Sequence, residues 1–354
     1  MLDEKDQAVT KTNTLQLTTH DLAVGYTASR AAHKIVASGI NVALRAGELV
    51  ALIGPNGAGK STLMRTLAGL QKPIRGDVRL GDELLQRLPP DAVARRLAVV
   101  LTERVDVGNL SAYALVALGR HPYTNWQGKL TPTDEAVVRH AITAVDAVAL
   151  ANRPVVELSD GERQKIMVAR ALAQEAPVLL LDEPTAFLDL PRRVELMRLL
   201  ATLAYTTQRA ILISTHDLDL ALRIADRLWL LSASGHLTTG IPEELALNGA
   251  LRQTFAREGV EFDPASGSFR LQREPCGPIG LSGDGLAAQW TARALERIGY
   301  KVVTEHCEAP LHVRINGAGW ELNTPGRQWR YDSLAEVIEH VKQPQSFSSS
   351  PRST

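Results

Sequence analysis

Eight consecutive residues, Gly54-Pro55-Asn56-Gly57-Ala58-Gly59-Lys60-Ser61, constrain this chain more than any others. They match the pattern G-x-x-x-x-G-K-[ST] and lie between an apolar run, Leu49 to Ile53, and a helix-like stretch, Lys60 to Ala68. The glycines let the backbone wrap tightly, so successive N–H groups and the N-terminus of the following helix face a polyphosphate. Lys60 supplies a point charge for β- and γ-phosphates, and the Ser61 hydroxyl is a candidate Mg²⁺ ligand. The alternative is a glycine-rich turn that binds nothing; the strand before it and the helix after it favour the phosphate reading.

Two further apolar runs have the continuous character of strands buried on both faces of a parallel sheet. Pro177 to Leu181 ends in Asp182-Glu183, and Ala210 to Ser214 ends in Thr215-His216. Open α/β sheets bind ligands at the C-terminal ends of their strands, so these polar residues are placed for chemistry. A carboxylate beside a phosphate loop can hold Mg²⁺, the role read for Asp182. Glu183 is then the candidate to orient and deprotonate an attacking water. His216 can reach a γ-phosphate or hold the base and water in place. Alone, two adjacent acids read as a solvated corner and a lone His as structural; the glycine loop upstream reverses both.

The chain has 354 residues, which suggests about two domains. Its 39 Lys+Arg balance 39 Asp+Glu, so it lacks the cationic footprint of a protein that coats nucleic acid. No stretch reaches the ~18–20 apolar residues of a spanning helix, and the polar segment 1–14 has no apolar core like that of a signal peptide. Two cysteines, Cys276 and Cys307, make no disulfide framework, which fits a reducing compartment. Residues 1–14 and 343–354 read as disordered tails. Between them, 15–272 alternate apolar runs with amphipathic stretches, the habit of an α/β domain. The cluster Glu274-Pro275-Cys276-Gly277-Pro278 marks a boundary. After it, 275–342 read as a small α/β domain: strand-like Ile279 to Leu281, Val302-Val303, Leu311 to Ile315 and Trp320 to Leu322, with helices Gly285 to Ile298 and Leu334 to Val341. Cys276, His306, Cys307 and His312 lack the tight spacing of metal ligands, so a dimer-stabilising or regulatory appendage is the favoured reading.

The segment Leu158-Ser159-Asp160-Gly161-Glu162-Arg163-Gln164 makes the reading specific. It resembles the signature motif of ATP-binding cassette (ABC) proteins, and the resemblance extends over about 15–270. Gly54 to Ser61 resembles Walker A, Val178 to Glu183 Walker B, Phe187-Leu188-Asp189 the D-loop and His216 the switch histidine. Ser159 lies 99 residues after Lys60, Asp182 lies 23 after Ser159, and His216 lies 33 after Glu183. The resemblance implies an α/β fold of the ABC-type P-loop NTPase: a RecA-like core, an antiparallel β subdomain and a helical subdomain at about 104–175. It implies ATP bound by Tyr26 stacking on adenine, by Gly54, Pro55, Asn56, Gly57, Ala58, Gly59, Lys60, Ser61 and Thr62, and across a dimer by Ser159, Gly161, Glu162 and Asp189. It implies Mg²⁺ on Ser61 and Asp182, and hydrolysis carried by Glu183, His216 and Lys60. The pattern departs from the family in two places. Asp160 and Glu162 stand where Gly and Gln are usual, and an acid near phosphate is electrostatically unhelpful unless it points away. The Q-loop glutamine is absent; Thr102 holds its position, followed by Glu103, and either is a candidate to approach Mg²⁺.

Ala117 to Trp126 and Leu130 to Asp134 resemble the helical subdomain of importer ATPases for ferric siderophores, haem and cobalamin. Thr131-Pro132-Thr133-Asp134 also reads as a helix start, with Thr at the N-cap, Pro at N1 and an acid in the first turn. The resemblance implies a homodimer on the cytoplasmic face of the inner membrane, peripheral, bound to integral membrane permease subunits and served indirectly by an extracytoplasmic substrate-binding protein, with no nucleic acid partner. Tyr123 and Trp126 are candidate anchors for a permease helix, or cover for the subdomain's own core. The rival is an ABC ATPase of non-transport function. Those that act on DNA carry long insertions before the signature, and those of translation carry two cassettes; this chain has neither. Copurification with a permease, as against DNA or ribosomes, separates the readings.

Overall fold

The computed structural model describes residues 14–342 except 30–31, 102–107, 257–259, 265–266, 272–275, 304–308 and 318. Residues up to Arg270 form one compact unit and those from Leu271 onward a second.

In the first unit, the continuous apolar runs become the centre of a six-stranded sheet. Its order is Leu237–Gly240, Arg227–Leu231, Leu49–Ile53, Ala210–Ser214, Val178–Leu181, Leu97–Val100. All neighbours are parallel except the first pair. Every residue of Leu49–Ile53, Ala210–Ser214 and Val178–Leu181 is buried. Strand side chains alternate, so each run feeds two cores at once. Leu49, Ala51, Ile53, Leu179, Leu181 and Ile211 face one core, which is completed by the helices Pro132–Ala144, Asp160–Ala173 and Leu190–Thr207. Val50, Leu52, Leu180, Leu212 and Trp229 face the other, packed on the helix Lys60–Leu67 and on an antiparallel sheet. That second sheet runs Ala32–Ile40, Leu15–Ser29, Arg75–Leu80, Glu83–Leu84, with Ala43–Arg45 also paired to Leu15–Ser29.

The helices Ala112–Ala117, Pro132–Ala144 and Asp160–Ala173 pack on one another and are pinned by a buried ionic knot. Arg120 donates from Nε to Asp134 Oδ1 at 2.9 Å and from Nη1 to Ala173 O at 2.8 Å and Glu175 Oε2 at 2.7 Å. Arg120 and Asp134 are each 4% exposed, so the pairing offsets desolvation of both charges. Asp134 also completes a capping box with Thr131, with Pro132 at N1, as the sequence predicts. Hydrogen bonds from the Thr131 hydroxyl and backbone, and then the Arg120 charge, hold the Asp134 carboxyl below its ordinary value.

The second unit has a five-stranded sheet in the order Lys301–Val303, Pro278–Ser282, Leu311–Asn316, Gly319–Thr324, Arg327–Tyr331. The first two pairings are parallel and the last two antiparallel. Its core contains Ile279, Leu281, Leu295, Val313, Leu322 and Val337, drawn from the sheet and from the helices Gly285–Arg297 and Leu334–Lys342. Sequence reading missed the strand Arg327–Tyr331: Trp329 and Tyr331 pack on the core, but Arg327, Gln328 and Arg330 hide the alternation. Among the described residues, no helix is long and apolar enough to cross a membrane.

Candidate nucleotide site

The glycine loop follows the strand Leu49–Ile53 directly and feeds the helix Lys60–Leu67. Two of its glycines are required by geometry. A Cβ on Gly54 would sit 2.1 Å from the Leu231 carbonyl oxygen, and Gly59 has φ +104° with Val36 Cγ1 2.2 Å from a Cβ placed there. Gly59 is the helix N-cap and offers no side-chain acceptor, so the first-turn N–H groups are left to a ligand. Lys60 is 6% exposed and its Nζ donates to Gly54 O at 2.9 Å and Pro55 O at 3.3 Å. Burial pushes its ammonium down from the ordinary lysine range, against the opposing influence of Glu183 and Asp182.

The loop borders a cavity of about 700 Å³. Tyr26, Asn56, Lys60, Ser61, Glu183 and His216 line it, so residues read from four separate stretches of sequence meet in one place. Tyr26 is 55% exposed at the cavity's rim, and its hydroxyl is 2.7 Å from Thr62 Oγ1. Thr62 is buried against the tyrosine hydroxyl and also lines the cavity.

Asp182 and Glu183 leave the end of one central strand and His216 the end of its neighbour, because Leu181 and Ile213 are in register. Glu183 Oε1 lies 2.6 Å from His216 Nε2. A carboxylate only accepts, so the contact places a proton on Nε2. Glu183 holds φ +48°, the left-handed region that non-glycine residues seldom adopt, as strained functional positions often do.

Sequence reading missed Ser214. Its fully buried hydroxyl donates to Asp182 Oδ1 at 2.6 Å and accepts from the Glu183 N–H at 2.9 Å. It ties both acids to the neighbouring strand. The available signal was a polar residue closing an otherwise apolar buried run.

The signature residues sit elsewhere. Ser159 caps the helix Asp160–Ala173, and Gly161 and Glu162 line a separate groove of about 650 Å³ with Leu188 and Arg192. Gly161 lies close under the Arg192 side chain: a Cβ would meet Arg192 Cδ at 2.9 Å, so that flexible side chain would have to shift. The sequence left open which way the acid at 162 points, and the geometry turns it onto the signature serine. Glu162 Oε2 accepts from both the Ser159 N–H and its hydroxyl, each at 2.8 Å, as the third residue of a capping box. These bonds first, and then the Arg153 and Arg192 charges, hold its carboxyl below the ordinary range. Asp189 caps the helix Leu190–Thr207 through a 3.0 Å bond from the Arg192 N–H. Thr102 and Glu103 lie outside the described residues, as do His306 and Cys307. Cys276 is exposed, and the His312 ring is 3.0 Å from Ser282 Oγ. Tyr123 serves its own subdomain: Arg120 lies 4.1 Å from its ring centre, and its hydroxyl donates to Gln174 O at 3.1 Å. Trp126 is 91% exposed.

Comparison with known proteins agrees with this geometry. Residues 37–186 match the ABC transporter family model, and 276–342 match the iron ABC transporter C-terminal domain. An ABC transporter ATP-binding protein of Methanocaldococcus jannaschii is 43% identical over 259 residues, 73% of this chain and 88% of the relative. A petrobactin import ATP-binding protein of Bacillus anthracis is 36% identical over 66% of this chain and 86% of its own length. A solved transporter described as of metal-chelate type, in an inward-facing conformation, superposes with TM-score 0.59 and 28% identity over 68% of this chain and 89% of that one. With the glycine loop, the acid–histidine pair and the serine-capped signature helix in place, the chain belongs to the ABC transporter family as one of its ATP-binding proteins.

Proposed function

We propose that this chain is the ATP-hydrolysing subunit of an importer that takes up a ferric siderophore across the cytoplasmic membrane, with haem and cobalamin as the alternative cargoes. One observation carries the reading. A cassette with its acid–histidine pair beside the glycine loop is joined in one chain to a region that matches the iron ABC transporter C-terminal domain.

The loop N–H groups and Lys60 grip the β- and γ-phosphates, for which Nζ exchanges the Gly54 and Pro55 carbonyls for phosphate oxygens. Tyr26 offers its exposed ring to adenine. Glu183 accepts the proton of the attacking water, and the His216 Nε2–H fixes the carboxylate's orientation while the imidazole reaches towards the γ-phosphate. Ser61 and Asp182 form an oxygen-only donor set that fits Mg²⁺, which when bound neutralises charge on the phosphate oxygens. Ser214 positions Asp182 and Glu183 together.

Ser159 and Asp189 line no part of the glycine-loop cavity. A second copy of this chain, arranged head to tail, supplies them, and two ATP molecules are enclosed between the copies. Closing with ATP and parting after hydrolysis is a two-state element biased by contacts to the γ-phosphate. The subunit lies peripherally on the cytoplasmic face, where permease subunits meet the helical subdomain at the exposed Trp126. The extracytoplasmic binding protein acts through that permease. The second unit, 275–342, modulates the ATPase. Uptake of labelled ferric siderophore, haem and cobalamin, in cells with the natural chain and with Lys60→Ala, tests the reading. Siderophore uptake lost with the variant supports it; uptake of all three unchanged refutes it.

A further inference from the structure

A serine hydroxyl carries one proton and donates one hydrogen bond. In the resting subunit that proton is already committed: Ser159 Oγ donates to Glu162 Oε2 at 2.8 Å, and the Ser159 N–H converges on the same oxygen. The second carboxylate oxygen, Oε1, meets Arg153 Nη1 at 3.3 Å, and Arg153 is itself anchored by a 3.1 Å bond from Nη2 to Glu157 O. Ser159 is exposed, so an anion brought by another copy can reach it. Any such anion competes with a carboxylate for the hydroxyl proton, and approaches a negative charge whose nearest compensation is the Arg153 guanidinium.

We propose that Glu162 is a positioning residue that restrains ATP-driven pairing by holding the Ser159 proton, and that Arg153 offsets its charge so that the γ-phosphate of the opposite copy can displace it. This rests on the head-to-tail reading above. A glutamine at 162 keeps an acceptor for the Ser159 N–H, so the cap survives, but it removes the charge and weakens the competition.

The charge relation makes Arg153 the decisive probe. If Arg153 acts through Glu162, its removal matters only while Glu162 is charged. If it touches phosphate directly, its removal matters regardless of residue 162. Part-exposed ion pairs of this kind are worth about twofold to fivefold in an equilibrium, and both sites of a dimer count.

The test titrates Mg-ATP against pairing of the full chain, followed by sedimentation velocity, in a Glu183→Gln background that blocks hydrolysis. Glu162→Gln should lower the half-saturating ATP concentration about threefold or more, and Arg153→Met should raise it by a similar factor. Arg153→Lys should stay within twofold of the parent, and Arg153→Met added to Glu162→Gln should change nothing further. An equal Arg153→Met effect in both backgrounds, or weaker pairing from Glu162→Gln, overturns the proposal while leaving the head-to-tail reading intact. A parent that never pairs with ATP overturns both.

Discussion

Removing the Ser214 hydroxyl is the sharpest structural perturbation available at the site, because that atom serves both acids and no ligand. It is fully buried, donates to Asp182 Oδ1 at 2.6 Å and accepts from the Glu183 N–H at 2.9 Å. Ser214→Ala deletes one hydrogen bond to a carboxylate, worth about 1.5–3 kcal/mol, and leaves the Glu183 N–H without its acceptor. Glu183 is the residue whose backbone stands at φ +48°, so the lost bond is one that holds a strained conformation. If that energy is expressed in placing the metal ligand and the base, kcat for ATP hydrolysis falls by about 10–100-fold, since 1.36 kcal/mol is tenfold. KM for ATP should move less than threefold, because Ser214 lines no part of the nucleotide cavity. Steady-state phosphate release against ATP concentration reads both quantities, and thermal unfolding should fall by about 2–4 °C for each kcal/mol lost. A Ser214→Ala chain with kcat within twofold of the natural chain would refute the positioning role. So would an unfolding midpoint lowered as expected with kcat untouched.

Four shorter predictions concern the rest of the molecule. Arg120→Met leaves Asp134 buried without its cation and should cost about 3–5 kcal/mol, read as a lowered midpoint in urea or heat. The Asp134 carboxyl is held below its ordinary value of 3.8, so the stability it contributes is present above that value and is lost as pH falls through the lower folded value. Asp134→Asn should therefore flatten the acid side of the stability profile while lowering stability at neutral pH; an unchanged slope would contradict this. Gly59→Ala forces a methyl group into Val36 at φ +104° and should abolish nucleotide binding measured by fluorescent-ATP titration. A chain ending at Arg270 should hydrolyse ATP with altered regulation during transport; identical transport and regulation would remove the role assigned to 275–342.

Much of the site was legible because its residues sit where backbone geometry leaves no choice. Gly54 and Gly59 are demanded by Leu231 and Val36, and the runs ending in Asp182-Glu183 and His216 are continuous because both sheet faces are covered. The start of the helix at Pro132 was equally plain, since Thr131 and Asp134 bond reciprocally over three residues. Ser214 was not legible, because its importance comes from the register that sets it against Asp182, 32 residues away in the chain. The orientation of Glu162 was not legible for a related reason: its charge was weighed against phosphate without the capping bonds that turn it onto Ser159. The strand Arg327–Tyr331 escaped because three of its five residues are polar and only Trp329 and Tyr331 reach the core.

The most direct measurement is the mass in solution of the full chain carrying Glu183→Gln, by light scattering, with Mg²⁺ and either ATP or ADP. The account predicts a mass that doubles with ATP, stays single with ADP, and fails to double when Lys60→Ala is added. A chain that remains single at saturating ATP, or that pairs equally with ADP, would contradict it.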